Sequence, residues 1–153
     1  MKIGVCIKQV PAKDAPLAIA VESAWIREPD VTFETNEPDG FALEEALRLK
    51  EKHGGEVTAI SMGPERAKQA LKEALAKGAD RAIHIAADDF SKLDPLASAR
   101  SLAAAIQAEN FDLLLTGLQS DDQASARQAC CWPNCWAGRT RPSSCKSKPL
   151  PAA

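Results

Sequence analysis

The chain has 153 residues, of which 45% are hydrophobic and 26% are charged, as expected for one soluble globular domain. Its net charge of −2 at pH 7 argues against a nucleic-acid-binding protein, which usually carries a basic surface. The N-terminal apolar run stops at Pro11, too early for a signal peptide, and no segment is long enough for membrane insertion. We therefore expect a protein of the bacterial cytoplasm, or of the mitochondrial matrix in a eukaryote, where cysteines stay reduced.

The chain begins with a strand-like segment. KIGVCIKQV at residues 2–10 predicts a strand with Ile3, Val5 and Ile7 on one face. A polar, proline-containing segment follows, in which AWIRE and VTFET predict short strands or edge pieces.

The next segment, FALEEALRLKEKHGG, predicts a helix that Asp39 caps and that Gly54 and Gly55 end. Its predicted apolar face consists of Phe41, Ala42, Leu43, Ala46, Leu47 and Leu49.

Strands and helices continue to alternate up to Gly117. In chain order they are the strand EVTAISM, the helix GPERAKQALKEALAKG, the strand DRAIHIA, the helix DPLASARSLAAAIQAEN and the strand FDLLLTG. Pro64 and Pro95 open the two helices, and Gly78 ends the first of them. This alternation predicts an α/β fold, with a Rossmann-like parallel sheet that is covered by helices on both faces.

Ligands of such sheets bind at the carboxyl ends of the strands. The loops of interest therefore follow Val10, Ile60 and Leu115, and the last of them reads TGLQSDDQ. A short polar loop that begins with glycine suits backbone amides that approach a phosphate or a ribose. On the alternative interpretation, Gly117 only makes a turn and the aspartates are solvated. The sequence contains no GxGxxG, P-loop or GxSxG motif.

Four stretches together carry a family resemblance: CIKQVP, NEPDGFALEEALRLKEKHGGEV, ISMGPERAKQALKEALAKGADRAIHI and FDLLLTGLQSDD. In their order and spacing over residues 1–122 they resemble the β subunit of electron transfer flavoprotein. The segments ALEEALRLKEK and ALAKGADRAI, joined by SMGP, are specific to this family. The resemblance implies an incomplete nucleotide-binding domain at residues 1–122, Rossmann-like and similar to the adenine-nucleotide α-hydrolases.

The resemblance also implies a function. The family's β subunit pairs with an α subunit that binds most of an FAD, and it binds AMP itself, or a second FAD in electron-bifurcating members. The heterodimer takes electrons from acyl-CoA dehydrogenases of fatty acid oxidation and from similar flavoenzymes. It passes them to a quinone oxidoreductase or another acceptor. The implied role is an electron carrier without catalytic residues, since the flavin supplies the redox chemistry.

The family's nucleotide contacts fall on strand ends and on the turn before the first helix. The corresponding positions here are Cys6, Asn36, Glu37, Pro38, Asp39, Met62, Gly117, Leu118, Gln119, Ser120, Asp121 and Asp122. The resemblance places Cys6 near the adenine and the loop from Gly117 to Asp122 near the phosphate. Other interpretations stay open: Cys6 as a small core residue, Asp39 as a helix cap and Met62 as apolar filler. The two histidines, His53 and His84, are expected to be structural.

Four of the five cysteines lie in the C-terminal tail, at Cys130, Cys131, Cys135 and Cys145. Their spacing contains no CxxC pair and the tail has no histidine, which disfavours a zinc site. From Gln123 onward the composition cannot build a strand or an amphipathic helix, because Leu150 is the only large aliphatic residue. We expect residues 123–153 to be an aberrant, disordered tail.

A shifted reading frame explains this tail. If each true codon starts one base earlier, the codons from Cys130 to Ala137 must read LLAxLLG, where x is Glu, Gln, Lys or a stop codon. The junctions from Gln123 to Ala129 permit GFGQTG, which resembles the family's glycine-containing turn before a leucine-rich helix. A non-functional frameshifted fragment is therefore one alternative to the electron carrier. A second alternative is a free-standing adenine-nucleotide-binding protein like the universal stress proteins.

Overall fold

The computed structural model describes residues 1–20, 25–87, 95–120 and 122. Its strands and α-helices, in chain order, are β1 (Lys2–Cys6), β2 (Gln9–Pro11), β3 (Ile19–Ala20), β4 (Trp25–Ile26), β5 (Phe33–Thr35), α1 (Glu37–His53), β6 (Glu56–Gly63), α2 (Lys68–Lys77), β7 (Arg81–Ala86), α3 (Pro95–Gln107) and β8 (Leu113–Thr116). Short 3₁₀ turns lie at Glu28–Asp30 and Glu65–Ala67.

Four of these strands form a parallel sheet in the order β7-β6-β1-β8. At the carboxyl end of β1, Cys6 pairs with Ile60 of β6 on one side and with Thr116 of β8 on the other. The chain builds outward from β1 through β6 to β7 and then returns to the opposite side of β1. The strand order therefore reverses between β1 and β8, and ligands of open α/β sheets bind at such a point.

Helices cover both faces of the sheet, as the alternating pattern predicts. On one face α1 and α2 pack against the sheet through Ile3, Val5, Leu43, Val57 and Leu71, among others. On the other face Leu102 and Ile106 of α3 pack with Ile60, Met62 and Phe111. Successive side chains of a strand point to opposite faces, so β6 is buried on both sides and supplies both clusters.

The first predicted strand is wrong in its extent, because residues 2–10 form two strands. β1 ends at Cys6, and β2 pairs with β5 in a separate antiparallel ladder. The chain leaves the sheet at Lys8, whose N–H donates to the Asp39 carboxylate and whose carbonyl accepts the N–H of Asn36. These hydrogen bonds take the place of pairing with the parallel sheet. The loop at the carboxyl end of this strand therefore follows Cys6 rather than Val10.

Helix α1 begins two residues before Asp39, which corrects the predicted cap. Asn36 precedes the helix, and Asp39 lies in its first turn with its carboxylate on backbone groups outside the helix. Phe41 is also not a core residue, since its side chain is 63% exposed. It lies two positions from buried Leu43, which places it about 200° around the helix axis. The predicted end at Gly54 is confirmed by its left-handed φ of 71°.

Among the described residues, the structure has no helix long and apolar enough to cross a membrane.

Candidate functional site

The predicted site residues converge where the strand order reverses. The carboxyl ends of β1 and β8 are neighbours there, and the N-terminal turn of α1 lies beside both of them. Asn36 and Asp39, at the start of α1, are 1% and 7% exposed. Two polar side chains buried at the edge of a sheet need hydrogen-bond partners, and the partners define the site.

Asp39 joins the two strand ends through its carboxylate. Its Oδ2 accepts the backbone N–H of Lys8 at 2.9 Å, and its Oδ1 accepts the backbone N–H of Gly117 at 2.9 Å. Burial raises the pKa of Asp39, and the hydrogen bonds from Lys8, Asn36 and Gly117 oppose that shift. The carboxylate is thus a buried acceptor that holds β1 and β8 together.

Gly117 lies too close to α1 for any larger residue. A Cβ atom at this position would be 2.9 Å from the Asp39 nitrogen and 2.9 Å from the Pro38 carbonyl carbon, and closer still to Asp39 Oδ1. Its N–H donates to Asp39, so this amide is already used within the protein. The glycine therefore permits the close approach of two backbone segments. The sequence had suggested either a phosphate contact or a simple turn at Gly117, and neither of these includes such an approach.

Asn36 holds the loop that follows β8. Its Nδ2 donates to the carbonyl oxygen of Gln119 at 3.1 Å, and its backbone N–H donates to the carbonyl oxygen of Lys8 at 2.9 Å. The amide side chain therefore sets the distance between the start of α1 and the loop. Together, Asn36 and Asp39 fix the loop at two points, Gly117 and Gln119.

Lys8 is a site residue that the sequence interpretation missed. Its ammonium donates to Ser120 Oγ at 3.2 Å and to Asp122 Oδ1 at 2.7 Å. Ser120 is itself buried. The signal in the sequence was a basic residue two positions beyond the first buried strand, in CIKQVP, but its target loop lies more than 100 residues away.

Cys6 and Met62 lie on the α3 face of the sheet. Met62 belongs to the apolar cluster with Ile60 and Leu102, and Cys6 packs against that cluster. Burial, with the charge of Asp39 as a smaller cause, raises the pKa of Cys6 to about 12. The thiol is therefore protonated at neutral pH and behaves as a small apolar group.

Ser61 is a second polar residue that the sequence interpretation missed. It is 1% exposed on β6, and its hydroxyl has no hydrogen-bond partner among the described residues. A serine within the apolar segment EVTAISM was the available signal. A buried hydroxyl near the carboxyl end of a strand usually has a hydrogen-bond partner, so this one is an exception.

Other predicted positions lie further from these contacts. Glu37 is exposed and forms an ion pair with Lys13 on the β2 side. Leu118 is 79% exposed, and Gln119 meets the site through its carbonyl oxygen. Asp121 lies outside the described residues, as do the four tail cysteines considered for zinc.

The site offers hydrogen-bond donors. The Lys8 ammonium and the Ser120 hydroxyl meet in the loop after β8, and the Asn36 amide lies beside them. Such donors suit phosphate and ribose oxygens. Within residues 1–20, 25–87, 95–120 and 122, no group of three or more His, Cys, Asp or Glu side chains could hold a metal ion.

Comparison with known proteins identifies the family. Residues 24–131 match the model of the electron transfer flavoprotein domain. The chain is 43% identical over 127 residues to an electron transfer flavoprotein subunit beta of Clostridium acetobutylicum, covering 83% of this chain and 49% of that protein. It is 41% identical over 132 residues to Protein FixA of Azorhizobium caulinodans, covering 83% of this chain and 47% of FixA. An acryloyl-CoA reductase electron transfer subunit gamma of Anaerotignum propionicum is 35% identical over 130 residues, covering 83% of this chain and 48% of that protein.

The chain therefore spans about half the length of the curated relatives it matches. The region matched by the family model contains β6, β7, β8 and the helices on both faces of the sheet, whereas β1 precedes it. On this extent of similarity, the chain belongs to the electron transfer flavoprotein family and matches its β subunits.

Proposed function

We propose that this chain forms the nucleotide-binding part of the β subunit of a heterodimeric electron transfer flavoprotein. An adenine nucleotide, AMP or the AMP half of a second FAD, binds where β1, β8 and the start of α1 meet. The observation that carries this proposal is the convergence of Asn36, Asp39 and Ser120, with Lys8, at the reversal of the strand order. Such a crevice is the usual nucleotide site of open α/β sheets.

The nucleotide contacts are divided among three elements. The loop from Gly117 to Asp122 supplies the surroundings of the phosphate, with the Ser120 hydroxyl and the Lys8 ammonium as donors. The turn at Asn36–Asp39 holds this loop in place and lies beside the ribose. Cys6 and Met62 supply an apolar wall for the adenine on the α3 face.

Electron transfer requires the partner chain and its flavin. When bound, FAD supplies the redox chemistry, and the protein supplies its position and its electrostatic surroundings. The α subunit holds the FAD, flavin dehydrogenases of the acyl-CoA class donate electrons, and a quinone oxidoreductase or another acceptor receives them. One relative is named an electron transfer subunit of acryloyl-CoA reductase, which supports a donor or acceptor of the acyl-CoA class.

Isothermal titration of the purified chain with AMP tests the nucleotide site. We expect saturable binding of one AMP per chain and much weaker binding of GMP, whose ring carries different hydrogen-bonding groups. Ser120→Ala should weaken AMP binding about five- to tenfold, the loss expected for one hydrogen bond of roughly 1 kcal/mol. The exposed loop residue Asp14 provides a matched control, and Asp14→Ala should bind AMP like the wild type.

Co-expression with a FAD-bearing α chain distinguishes the forms of this proposal. One flavin per heterodimer in the ultraviolet–visible spectrum indicates AMP in the β site, and two indicate a second FAD. A chain that binds AMP tightly and never pairs with an α subunit supports the stand-alone, universal-stress-like alternative. Failure to bind either nucleotide, alone or in the heterodimer, contradicts the proposed function.

We also infer that the coding sequence changes reading frame near Ala124. The supporting observation is that six residues forced by the shifted frame, between Cys130 and Ala137, spell a leucine-rich helix. Sequencing the DNA across codons 120–130 should reveal a single-base change whose correction restores GFGQTG after Gln123. If no single-base change restores it, the inference fails. If the change is a genuine lesion, the product is a fragment that lacks the rest of the phosphate-binding turn.

A further inference from the structure

Lys8 is anchored more firmly than a surface lysine. It lies two residues beyond β1, its backbone N–H donates to Asp39 Oδ2 at 2.9 Å, and its carbonyl accepts the N–H of Asn36 at 2.9 Å. Both backbone groups are therefore fixed to the start of α1. From this anchor the side chain reaches the loop after β8.

The ammonium of Lys8 occupies the polar end of that loop. It contacts the Ser120 hydroxyl at 3.2 Å and the Asp122 carboxylate at 2.7 Å, and the two charged side chains are 23% and 22% exposed. Partial burial strengthens the attraction between these charges relative to a solvated pair. The Asp122 carboxylate thus lies on the same ammonium that contacts the Ser120 hydroxyl.

A nucleotide phosphate would meet an unfavourable potential there without Lys8. The buried Asp39 carboxylate and the Asp122 carboxylate are both close to the loop, and a phosphate monoester brings roughly −1.5 to −2 charges of its own. Like charges at this range repel each other. Binding of the phosphate becomes favourable when it takes the Lys8 ammonium from Asp122 and releases that carboxylate to solvent.

We propose that Lys8 is a phosphate-binding residue of the nucleotide site and that Asp122 occupies its ammonium until the ligand phosphate displaces it. Asp122 then acts as an internal competitor, and Ser120 remains beside Lys8 as the second donor. This inference rests on the proposed nucleotide site. To the phosphate contact of Lys8 it adds an opposing role for Asp122.

A structural role for the same ion pair predicts different results. If Lys8 only ties the loop to β1, the loss of either partner loosens the loop and weakens AMP binding. If Asp122 competes with the phosphate, the loss of Lys8 weakens binding whereas the loss of Asp122 strengthens it. The direction of the Asp122 effect therefore separates the two roles.

Titrations of the full chain with AMP, adenosine and inorganic phosphate provide the test. We expect Lys8→Met to weaken AMP binding roughly tenfold to a hundredfold, the effect of one hydrogen bond to a charged group. Asp122→Asn should tighten AMP binding about two- to fivefold, the effect of removing a partly exposed ion pair. Neither variant should change adenosine binding, and Lys8→Arg should keep most of the AMP affinity because it keeps the charge.

Lys72→Met is the matched control, because this lysine is exposed on α2, which packs against β6 and β7. It should leave AMP binding unchanged. Weaker AMP binding by Asp122→Asn, or equal losses of AMP and adenosine in Lys8→Met, would overturn the inference while the nucleotide site stands. Absence of AMP and adenosine binding in the wild type would overturn both. Inorganic phosphate should displace AMP from the wild type and should do so less well from Lys8→Met. This result would support the inference independently of any contact with the adenine base.

Discussion

Replacing Asp39 with alanine is expected to lower the free energy of unfolding by roughly 2–5 kcal/mol. The substitution removes the acceptor of two backbone N–H groups, those of Lys8 and Gly117, at a side chain that is only 7% exposed. Each buried donor that is left without a partner costs about 1–3 kcal/mol. The loop after β8 should also lose its fixed position relative to β1, so AMP binding should fall together with stability.

Urea denaturation of the wild type, Asp39→Ala and Asp14→Ala measures this effect. Asp14 is exposed, so its substitution should change the free energy of unfolding by no more than about 0.5 kcal/mol. An Asp39→Ala variant as stable as Asp14→Ala would show that the carboxylate does not hold the two strand ends together.

The same residue has an expected pH dependence. Burial raises the pKa of Asp39 above its ordinary value of 3.8, so the folded chain binds the proton more tightly than the unfolded chain. The stability that this group contributes is therefore fully present below pH 3.8 and declines as the pH rises through the folded-state pKa. The free energy of unfolding of the wild type, relative to that of Asp39→Asn, should fall as the pH rises over that range. A relative rise would show that the hydrogen bonds outweigh burial in setting the pKa of Asp39.

Replacing Gly117 with alanine is expected to cost roughly 1–3 kcal/mol of stability and to weaken AMP binding. The added methyl group would lie 2.9 Å from backbone atoms of Pro38 and Asp39, and backbone cannot move aside as a flexible side chain can. Either α1 or the loop must shift, and the hydrogen bond from Gly117 to Asp39 lengthens in both cases.

Gly40 supplies the matched glycine control. It lies one residue beyond Asp39 within α1, and a Cβ atom there meets nothing within 4 Å. Gly40→Ala should therefore raise the free energy of unfolding by about 0.5–1 kcal/mol, since alanine is the better helix former. Thermal melts of both variants with and without AMP test the pair. A Gly117→Ala variant as stable as Gly40→Ala would contradict the close approach.

The periodicity of the sequence predicted much of the fold. The strands β6, β7 and β8 and the helices α1, α2 and α3 lie within a few residues of their predicted positions. Each of these segments has a strong local pattern of apolar residues, and glycine or proline lies near its ends. The errors occur where tertiary contacts override the local pattern. The strand predicted over residues 2–10 breaks at Lys8 because Asp39 and Asn36, which are distant in sequence, bond its backbone.

The sequence also predicted part of the candidate site but not all of it. Asn36, Asp39, Gly117 and Ser120 were predicted from the family resemblance, and the structure brings them together. Their contacts could not be derived from spacing. A local interpretation made Asp39 a helix cap, whereas its carboxylate bridges β1 and β8. Lys8 was missed because its role depends on a loop more than 100 residues away.

The sequence by itself determined the alternation of strands and helices, the family and the change in composition after Gln123, because these properties reside in local runs of residues. Only the tertiary structure decided that β1 lies between β6 and β8, since strand order depends on how helices pack across the sheet rather than on any one segment. That placement brings Lys8, Asp39, Gly117 and Asp122 together. Hydrogen bonds and ion pairs act only over a few ångströms, so the chemistry of the site follows from the fold.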